Sequence, residues 1–497
     1  MKDAFVSAHG EKPWLAPEDH SSKHAVVVGG GWGGFGAAYA LLKAGVKVTI
    51  LDASETPGGL SAGWRTPGGR SVEAGIKGFW YQYSNINALV GELGIDNPFT
   101  DWTRSSFWAP DGLQVMPYLS EHAALQLFAV QSPIFQNQPR LPTPLGSFLY
   151  TSPYFTKLPI WDRLTALPLL GPLLEVDSSE EAYNHYDQIS ALDLFKKKGV
   201  SQRLLSSFGN KIEGPMQADF DVRWCKGPVV ERLFKPLIAE IESMGGQILG
   251  GRRVQQVHTQ GRLTGASQHL IAATAQELAR VSNLSTVDVA AVRLWLDKLV
   301  QPDTPSNVMA GFDQGVGATF FDLNTLQVLL HELVLQDEYR QEAGSVVEVD
   351  YYNATSLLGL TDEQLIQRTL HTYLAACQPA YGLCQVRDAS VLRFAGAVTA
   401  FAPGSHASMP PTGVSLAGVF MAGDWLAQGP GTHGAKGLSQ EKAYVTGLQA
   451  GNQAAQMLSH TPQVKVLPVE ADEAHIVSAK QAVKQTRSAF SMMPYSA

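Results

Sequence analysis

Ten residues near the start of the chain, Ala25-Val26-Val27-Val28-Gly29-Gly30-Gly31-Trp32-Gly33-Gly34, constrain the fold more than any other stretch. A short β-branched run reads as a buried parallel strand, and glycines follow it without a gap. Gly29, Gly31 and Gly34 fit the G-x-G-x-x-G spacing of a dinucleotide-binding βαβ unit, with Gly33 in the same loop. Each glycine meets a separate demand. Gly29 permits the tight turn, Gly31 lets backbone approach a pyrophosphate, and Gly34 allows helix to pack on strand. The helix expected over residues 34–44 aims its positive end and free N–H groups at the phosphates. Residues 46–51 alternate and are β-branched, so they read as the second strand. That strand ends at Asp52, eighteen residues after Gly34, where an acid is expected to hold the ribose of an adenosine.

Composition narrows the partners. Charged residues make up 16% of the 497, and the formal net charge is −8, which argues against a nucleic-acid binder. No apolar run is long enough to span a bilayer, and the acidic arm over residues 1–23 lacks the features of a secretory or transit signal. Cys225, Cys377 and Cys384 form no C-x-x-C pair. They read as reduced thiols in a reducing compartment, with no disulfide framework and no zinc site. The thirteen histidines show no H-E-x-x-H pattern, so no metal is expected.

Further along, residues 85–93 form an amphipathic helix with Ile86, Leu89, Val90 and Leu93 on one face. Residues 107–176 are rich in prolines, aromatics and leucines, as suits a helical cap lining the path of a greasy substrate. Within them 158–161 and 167–170 could also dip into a bilayer surface. Ser190 caps a helix with Asp193 at N3. A helix over 229–243 ends at Gly245-Gly246, and 247–249 and 252–257 read as strands. Residues 286–296 and 344–349 supply strands of a second sheet, 326–335 read as a helix, and Thr361 with Gln364 opens a helix to 376. Residues 387–394 form another strand. An apolar strand over 418–422 leads to Gly423-Asp424-Trp425, and glycine-rich 429–437 leads into a helix over 438–458. A last helix is expected near 471–486.

Six residues after Asp52 stand Gly58-Gly59. With the first glycine loop and the distal Gly423-Asp424, they make the chain resemble the superfamily of FAD-dependent amine oxidases and carotenoid desaturases. The likeness runs from about residue 25 to 458 and is densest at both ends. Where that family has an arginine after the glycine pair, this chain has Leu60, with Arg65 and Arg70 nearby. The resemblance implies an α/β protein. A Rossmann-like FAD-binding domain would be assembled from 24–105, 225–280 and 386–460. An α+β substrate domain with a helical cap would take 106–224 and 281–385, between an arm (1–23) and a tail (461–497). It implies that Gly29, Gly31, Gly33, Gly34, Asp52, Gly58, Gly59, Gly423 and Asp424 hold FAD, and that Val254 brackets the adenine. His433 and Gly434 would lie by the flavin's carbonyl edge. Lys77, in the block 72–80 that approaches the ring, and Trp425 are the catalytic candidates. A lysine there would stabilise charge developing on the reduced ring.

The implied reaction moves hydride from a substrate carbon to flavin N5, and electrons then pass to a quinone or O2. The apolar cap favours a lipophilic isoprenoid such as a carotenoid, with peripheral membrane contact, in cytoplasm or plastid. An amine oxidase, a non-catalytic flavin-binding protein and an NAD(P)H-dependent monooxygenase stay open at this point. A purely NAD-dependent dehydrogenase accounts for the first block alone.

Overall fold

In the computed structural model, the described residues are 4–9, 23–80, 82–102, 105–110, 112–115, 159–176, 179–207, 222–259, 280–302, 304–328, 331–334, 336–340, 342–413, 418–429, 432–435, 437–469 and 474–489. The proline- and aromatic-rich stretches 138–144 and 148–155 lie outside them.

The βαβ unit forms as the sequence requires. Strand β2 (His24–Val28) runs parallel to β3 (Lys47–Leu51), and α1 (Trp32–Lys43) connects them. A third parallel strand, β10 (Gln247–Leu249), adds to the far side of β3, giving the order β10-β3-β2. Two hundred residues of intervening chain therefore return to the same small sheet. Helix α7 (Lys235–Ser243), which delivers the chain to β10, is preceded by a π-helical turn at Val230–Phe234 rather than by continuous α-helix. Pro236, in the first turn of α7, has no N–H to close the α-helical ladder, and a wider turn absorbs the gap. The core here is Phe35, Tyr39, Leu41, Val48 and Ile50 against Phe234, Leu237, Ile241, Tyr444 and Leu448.

Short antiparallel pairs flank this unit. Strand β1 (Ala4–His9) pairs with β11 (Arg253–Thr259), β4 (Gly63–Arg65) with β5 (Ser71–Glu73), and β6 (Gly78–Trp80) with β9 (Val222–Trp224). Helix α2 (Ser84–Glu92) buries Ile86 and Leu89, as its apolar spacing predicts.

A second sheet has seven strands in the order β18-β12-β17-β14-β13-β7-β8. They are β7 (Ser105–Ala109), β8 (Gly112–Val115), β12 (Thr286–Leu296), β13 (Ser306–Asp313), β14 (Val316–Asp322), β17 (Val346–Tyr352) and β18 (Val386–Thr399). Only β13 and β7 run parallel. Alternation assigns one face, with Val292, Leu294, Val347, Val349, Tyr351 and Phe320, to an apolar core shared with Leu357, Leu365, Leu370 and Tyr373. The opposite face carries Arg293, Glu348 and Asp350, all buried. Thr361 and Gln364 form the predicted capping box of α8 (Asp362–Arg368).

The apolar region beyond residue 158 is helical where described: α3 (Ile160–Leu164), α4 (Leu170–Glu175), α5 (Glu180–Asp187) and α6 (Ala191–Lys197). Ser190 caps α6 by accepting from the Asp193 amide, as expected. Helix α9 (Gln440–Met457) begins after its cap Ser439, and α10 (Ala474–Ala489) ends the described chain.

Four expectations fail. Residues 107–109 and 112–115, read as part of a helical cap, lie in β7 and β8, and 386–399, expected in the cofactor domain, form β18, because both find pairing partners at the edges of the second sheet. Residues 326–335 are not helical but form a hairpin, β15 (Thr325–Val328) against β16 (His331–Val334), with Leu326 opposite Leu333. A leucine-rich run satisfies both periods, and cross-strand pairing decides between them. The apolar run 418–422 forms no strand; its ladder is a single bridge between Gly413 and Phe420. The three-stranded sheet stops at β2, where Val28 is 54% exposed, and among the described residues the run does not extend it.

Candidate active site

The first glycine loop is shaped by backbone crowding. Gly29 has φ +95° and donates its N–H to the Leu51 carbonyl at 2.7 Å, which locks the loop to the end of β3. A Cβ on Gly34 would stand 1.8 Å from the Gly29 carbonyl oxygen, so helix and strand approach to a distance only glycine allows. Gly31 caps α1, and the first turn of α1 carries no acid, leaving the helix's positive end uncompensated. Gly59, at φ +56°, brings the Gly58-Gly59 pair against this loop: its Cβ position lies 3.2 Å from Gly31 Cα.

Asp52 stands at the predicted strand end. Its two carboxylate oxygens accept from the amides of Gly30 (2.6 Å) and Ser54 (2.7 Å). The acid thereby ties the loop to the second strand, and each oxygen keeps a further lone pair for a hydroxyl. The Arg252 amide donates to the Asp52 carbonyl at 2.7 Å, and Val254 packs with Leu51, Leu249 and Val26. Val254 is thus brought beside the acid, on the route back from the second sheet.

The distal block reaches the loop through α9, which lies directly on α1. Cβ positions at Gly447, Gly36 and Gly451 meet backbone oxygens of the facing helix at 2.1, 2.7 and 2.5 Å. The G-x-x-x-G spacing of Gly447 and Gly451 is the legible trace of this interface. Ala422 touches the Cβ position of Gly33 at 3.3 Å, and the Gly423 amide donates to Thr446 Oγ1 at 2.9 Å. Three residues that sequence reasoning missed complete the junction. Trp32 Nε1 donates to Gln440 Oε1 (2.9 Å) and to Ser61 Oγ (3.2 Å), and Gln440 Nε2 donates to the Gly78 carbonyl (3.0 Å). Four separate stretches therefore meet at one point.

Beneath Gly423-Asp424 lies Lys442, 2% exposed, donating to the Leu426 carbonyl at 2.6 Å. Burial pulls this ammonium down to about 8, with Asp424 opposing; burial pushes Asp424 up to about 6, with Lys442 opposing. The neighbouring Glu441 is buried and accepts from the Asn85 amide, the Asn85 side chain (both 2.8 Å) and the Ile86 amide (3.0 Å). It caps α2 with negative charge where the helix's first amides need partners. His433 Nε2 bonds the Leu467 carbonyl at 2.5 Å, and its Nδ1 has no hydrogen-bond partner among the described residues. Gly434, at φ +91°, faces Val469.

The two catalytic candidates are not joined. Lys77 is half-buried and folds back on its own turn, donating to the carbonyls of Ala74 (2.5 Å) and Gly75 (2.7 Å). Trp425 lies on Gly423, whose φ of +145° and bare Cα leave the indole nitrogen 2.2 Å from the Cβ position. Among the described residues no hydrogen bond or ion pair links Lys77 to Trp425 or to the glycine loops.

The residues present suit a dinucleotide. The glycine loop offers amides without side chains, the acid Asp52 stands at the strand end, and a cation sits under the distal block. Among the described residues no cluster of His, Cys, Asp or Glu could hold a metal, and all three cysteines are free and buried.

Comparison with known proteins agrees. Residues 27–93 match the family model of the NAD(P)-binding Rossmann-like domain. The 15-cis-phytoene desaturase of Solanum lycopersicum is 26% identical over 473 residues, covering 86% of this chain and 77% of that protein. The carotenoid phi-ring synthase of Chlorobaculum tepidum is 35% identical over 97 residues, which is 19% of this chain and 15% of that one. Among solved structures, cyclohexylamine oxidase from Brevibacterium oxydans superposes with a TM-score of 0.52 at 14% identity, over 88% of this chain and all of its own, a likeness of fold. The chain thus carries a Rossmann-like dinucleotide-binding domain and is similar along most of its length to carotenoid desaturases, with the fold of a flavin amine oxidase.

Proposed function

We propose that this protein is an FAD-dependent oxidoreductase acting on a lipophilic, carotenoid-like isoprenoid. The observation that carries the reading is the junction of four stretches at Trp32, Ser61, Gly78 and Gln440. It brings the glycine loop, the glycine pair, the Lys77 block and the distal helix together, which supports one dinucleotide site built from all four. We assign the cofactor domain to 24–105, 225–280 and 400–460, and the substrate and cap domain to 106–224 and 281–399, because β18 pairs with β12 of the second sheet. The tomato relative, named a desaturase, supports the substrate class.

Desaturation removes two hydrogens from adjacent carbons, one as hydride and one as a proton. Bound FAD supplies the hydride acceptor at N5. The proton leaves to solvent, and the chain's residues would bind and orient the cofactor. Amides of residues 29–34 and the N-terminus of α1 bind the pyrophosphate, and Asp52 holds ribose hydroxyls. Val254 covers the adenine. Asp424 holds a ribityl hydroxyl, with Lys442 balancing its charge. His433 and Gly434 line the carbonyl edge, Trp425 walls the site beside Asp424, and Lys77 contributes positive charge near the ring. Phe79, Tyr83 and Phe99, buried with Phe79 and Phe99 4.6 Å apart, keep water out.

Ile160 and Trp161, 60% and 77% exposed, with exposed Leu164 and Leu167, present apolar surface at α3. Among the described residues no helix is long and apolar enough to cross a membrane. We infer peripheral contact with a bilayer that stores the substrate, and passage of electrons to a quinone or O2. Free buried thiols suit a reducing compartment, cytoplasm or plastid.

The test is anaerobic mixing of FAD-reconstituted protein with a panel of carotenoids, amines and NADPH. Bleaching of the flavin by a carotenoid, with colour restored by a quinone, is expected. Bleaching by an amine or by NADPH alone would overturn the substrate assignment, and failure to take up FAD would overturn the whole reading.

A further inference from the structure

Between the Lys77 turn and the second sheet lies a closed group of charges that the proposed chemistry does not use. Strands β12 and β17 alternate so that Arg293, Glu348 and Asp350 point from the same face, in the registers Arg293–Glu348 and Ala291–Asp350. Arg293 and Glu348 form an ion pair, both side chains 2% exposed. Arg293 Nη1 also donates to the Ser71 carbonyl at 2.8 Å, and Tyr339 donates its hydroxyl to that same carbonyl at 2.8 Å. Glu73, at the end of β5, accepts from Gln336 Nε2 at 2.9 Å and from the Val229 amide at 3.3 Å. The second sheet thus grips β5 and the turn that follows it.

Asp350 makes the decisive contact. Its Oδ2 accepts from the Ile76 amide at 3.0 Å, and Gly75, at φ +84°, leaves room for the carboxyl: a Cβ there would stand 3.0 Å from both Asp350 oxygens. Lys77, the next residue along, points its ammonium back onto the carbonyls of Ala74 and Gly75. A turn whose carbonyls converge on an ammonium holds that shape only if its amide side is also tied down. The Ala74 and Gly75 amides donate to the carbonyls of Ala62 (3.2 Å) and Glu73 (2.8 Å), and Asp350, from the second sheet, holds the Ile76 amide.

We propose that Asp350 is the positioning residue for Lys77: carried on the second sheet, it pins the turn of residues 74–77 through the Ile76 amide and so sets where the ammonium lies. This rests on the reading of Lys77 as the charge beside the flavin. The pin couples the domains, because any separation of β17 from β5 releases the lysine. Five ionisable groups share this space, the carboxyls of Glu73, Glu348 and Asp350 against the cations Arg293 and Lys77, with the hydroxyls of Tyr339 and Tyr352 at the margin. Glu348 Oε1, Asp350 Oδ1 and Arg293 Nη2 have no hydrogen-bond partner among the described residues. One carboxyl more than the cations can balance means that a retained proton fits the group, and burial raises both Glu73, to about 7, and Asp350.

The test compares Asp350→Ala, Asp350→Asn, Asp350→Ser and Lys77→Met with the parent chain by two readouts. The first needs no cofactor: hydrogen exchange of the Ile76 amide in the apo protein. Asp350→Ala is expected to speed it at least tenfold, whereas Asp350→Asn, which keeps an acceptor oxygen, stays within about threefold. If the alanine variant fails to fold, Asp350→Ser, whose side chain is too short to reach Ile76, takes its place. The second readout is sulfite affinity of the FAD-loaded protein. Sulfite's lone pair forms a bond to flavin N5 and leaves negative charge on the ring, so affinity rises with nearby positive charge. Lys77→Met and Asp350→Ala are each expected to weaken it about tenfold, and the double variant no further, because they act through one group. Unchanged exchange in Asp350→Ala, or additive losses in the double variant, overturns the pin. Faster exchange with sulfite affinity untouched in Lys77→Met upholds the pin and instead overturns the placement of Lys77 by the flavin.

Discussion

Replacing Gly447 by alanine tests the interface that joins the two ends of the chain. Its Cβ would stand 2.1 Å from the Gly33 carbonyl oxygen, 2.9 Å from the Gly33 carbonyl carbon and 3.1 Å from the Ala37 nitrogen, all backbone atoms. Ordinary contact begins near 3.4 Å, so α9 must back away from α1 by roughly an ångström, with no side-chain rotamer able to relieve the clash. Overpacking of this kind costs about 1–3 kcal/mol, and rigid backbone places the cost near about 3. Alanine's better helix propensity offsets about 1 kcal/mol, leaving a net loss near 2 kcal/mol. The same displacement strains the Trp32–Gln440 and Gly423–Thr446 hydrogen bonds, so FAD retention falls with stability. The assay is urea unfolding followed by tryptophan fluorescence, with FAD content measured after gel filtration. Gly91→Ala is the control: it lies exposed in α2 with nothing within 4 Å of its Cβ position, and it is expected to gain about 0.5 kcal/mol. A Gly447→Ala protein as stable as its parent, with full FAD content, would refute the reasoning.

Four further outcomes are expected. Asp52→Ala orphans the Gly30 and Ser54 amides and removes the ribose acceptor, costing about 1–3 kcal/mol and at least tenfold in FAD affinity by fluorescence titration; Asp52→Asn retains part of both. Asp322 is fully buried, and burial pushes it up to about 7, against acceptance from the Asn324 amide; an acid raised on folding contributes stability at low pH that is lost as pH rises to about 7. Asp322→Asn should therefore flatten the fall in unfolding midpoint between pH 4 and 7. Lys442 is lowered to about 8, so the opposite sign holds: stability rises with pH from about 8 towards the ordinary lysine range, and Lys442→Met removes that rise. Ile160→Ser with Trp161→Ser is expected to cut sedimentation with lipid vesicles at least tenfold, since each exposed apolar side chain buried in lipid is worth about 1.5–3 kcal/mol, with detergent-assayed turnover unchanged.

Much of this protein is local, and local features are legible. The glycine loop, Asp52, the caps at Ser190 and Thr361, the strand 286–296 and the long helix α9 all follow from short-range sterics or from hydrogen bonds within four residues. The glycines of the first loop are legible because backbone geometry demands glycine there, whatever else the chain does.

Pairing across the chain was not legible. The run 326–335 carries both a helical and a strand period, and only its fold-back onto itself selects the hairpin. The apolar 418–422 has the composition of a strand, yet among the described residues its pairing is a single bridge from Phe420 to Gly413. Gln440, Glu441 and Lys442 look like the polar start of an ordinary surface helix. Docking of α9 onto α1 turns them into a bridge to Trp32, a cap for α2 and a buried cation under Asp424. Asp350 is an acid in an alternating strand until β17 sets it against Ile76. The sequence by itself determined which nucleotide-binding backbone forms and where its glycines must lie, because those demands act within a turn or two. The tertiary structure alone decided which charges are buried together and which turn they hold, because burial and the loss of water's screening arise only when distant segments close on one another.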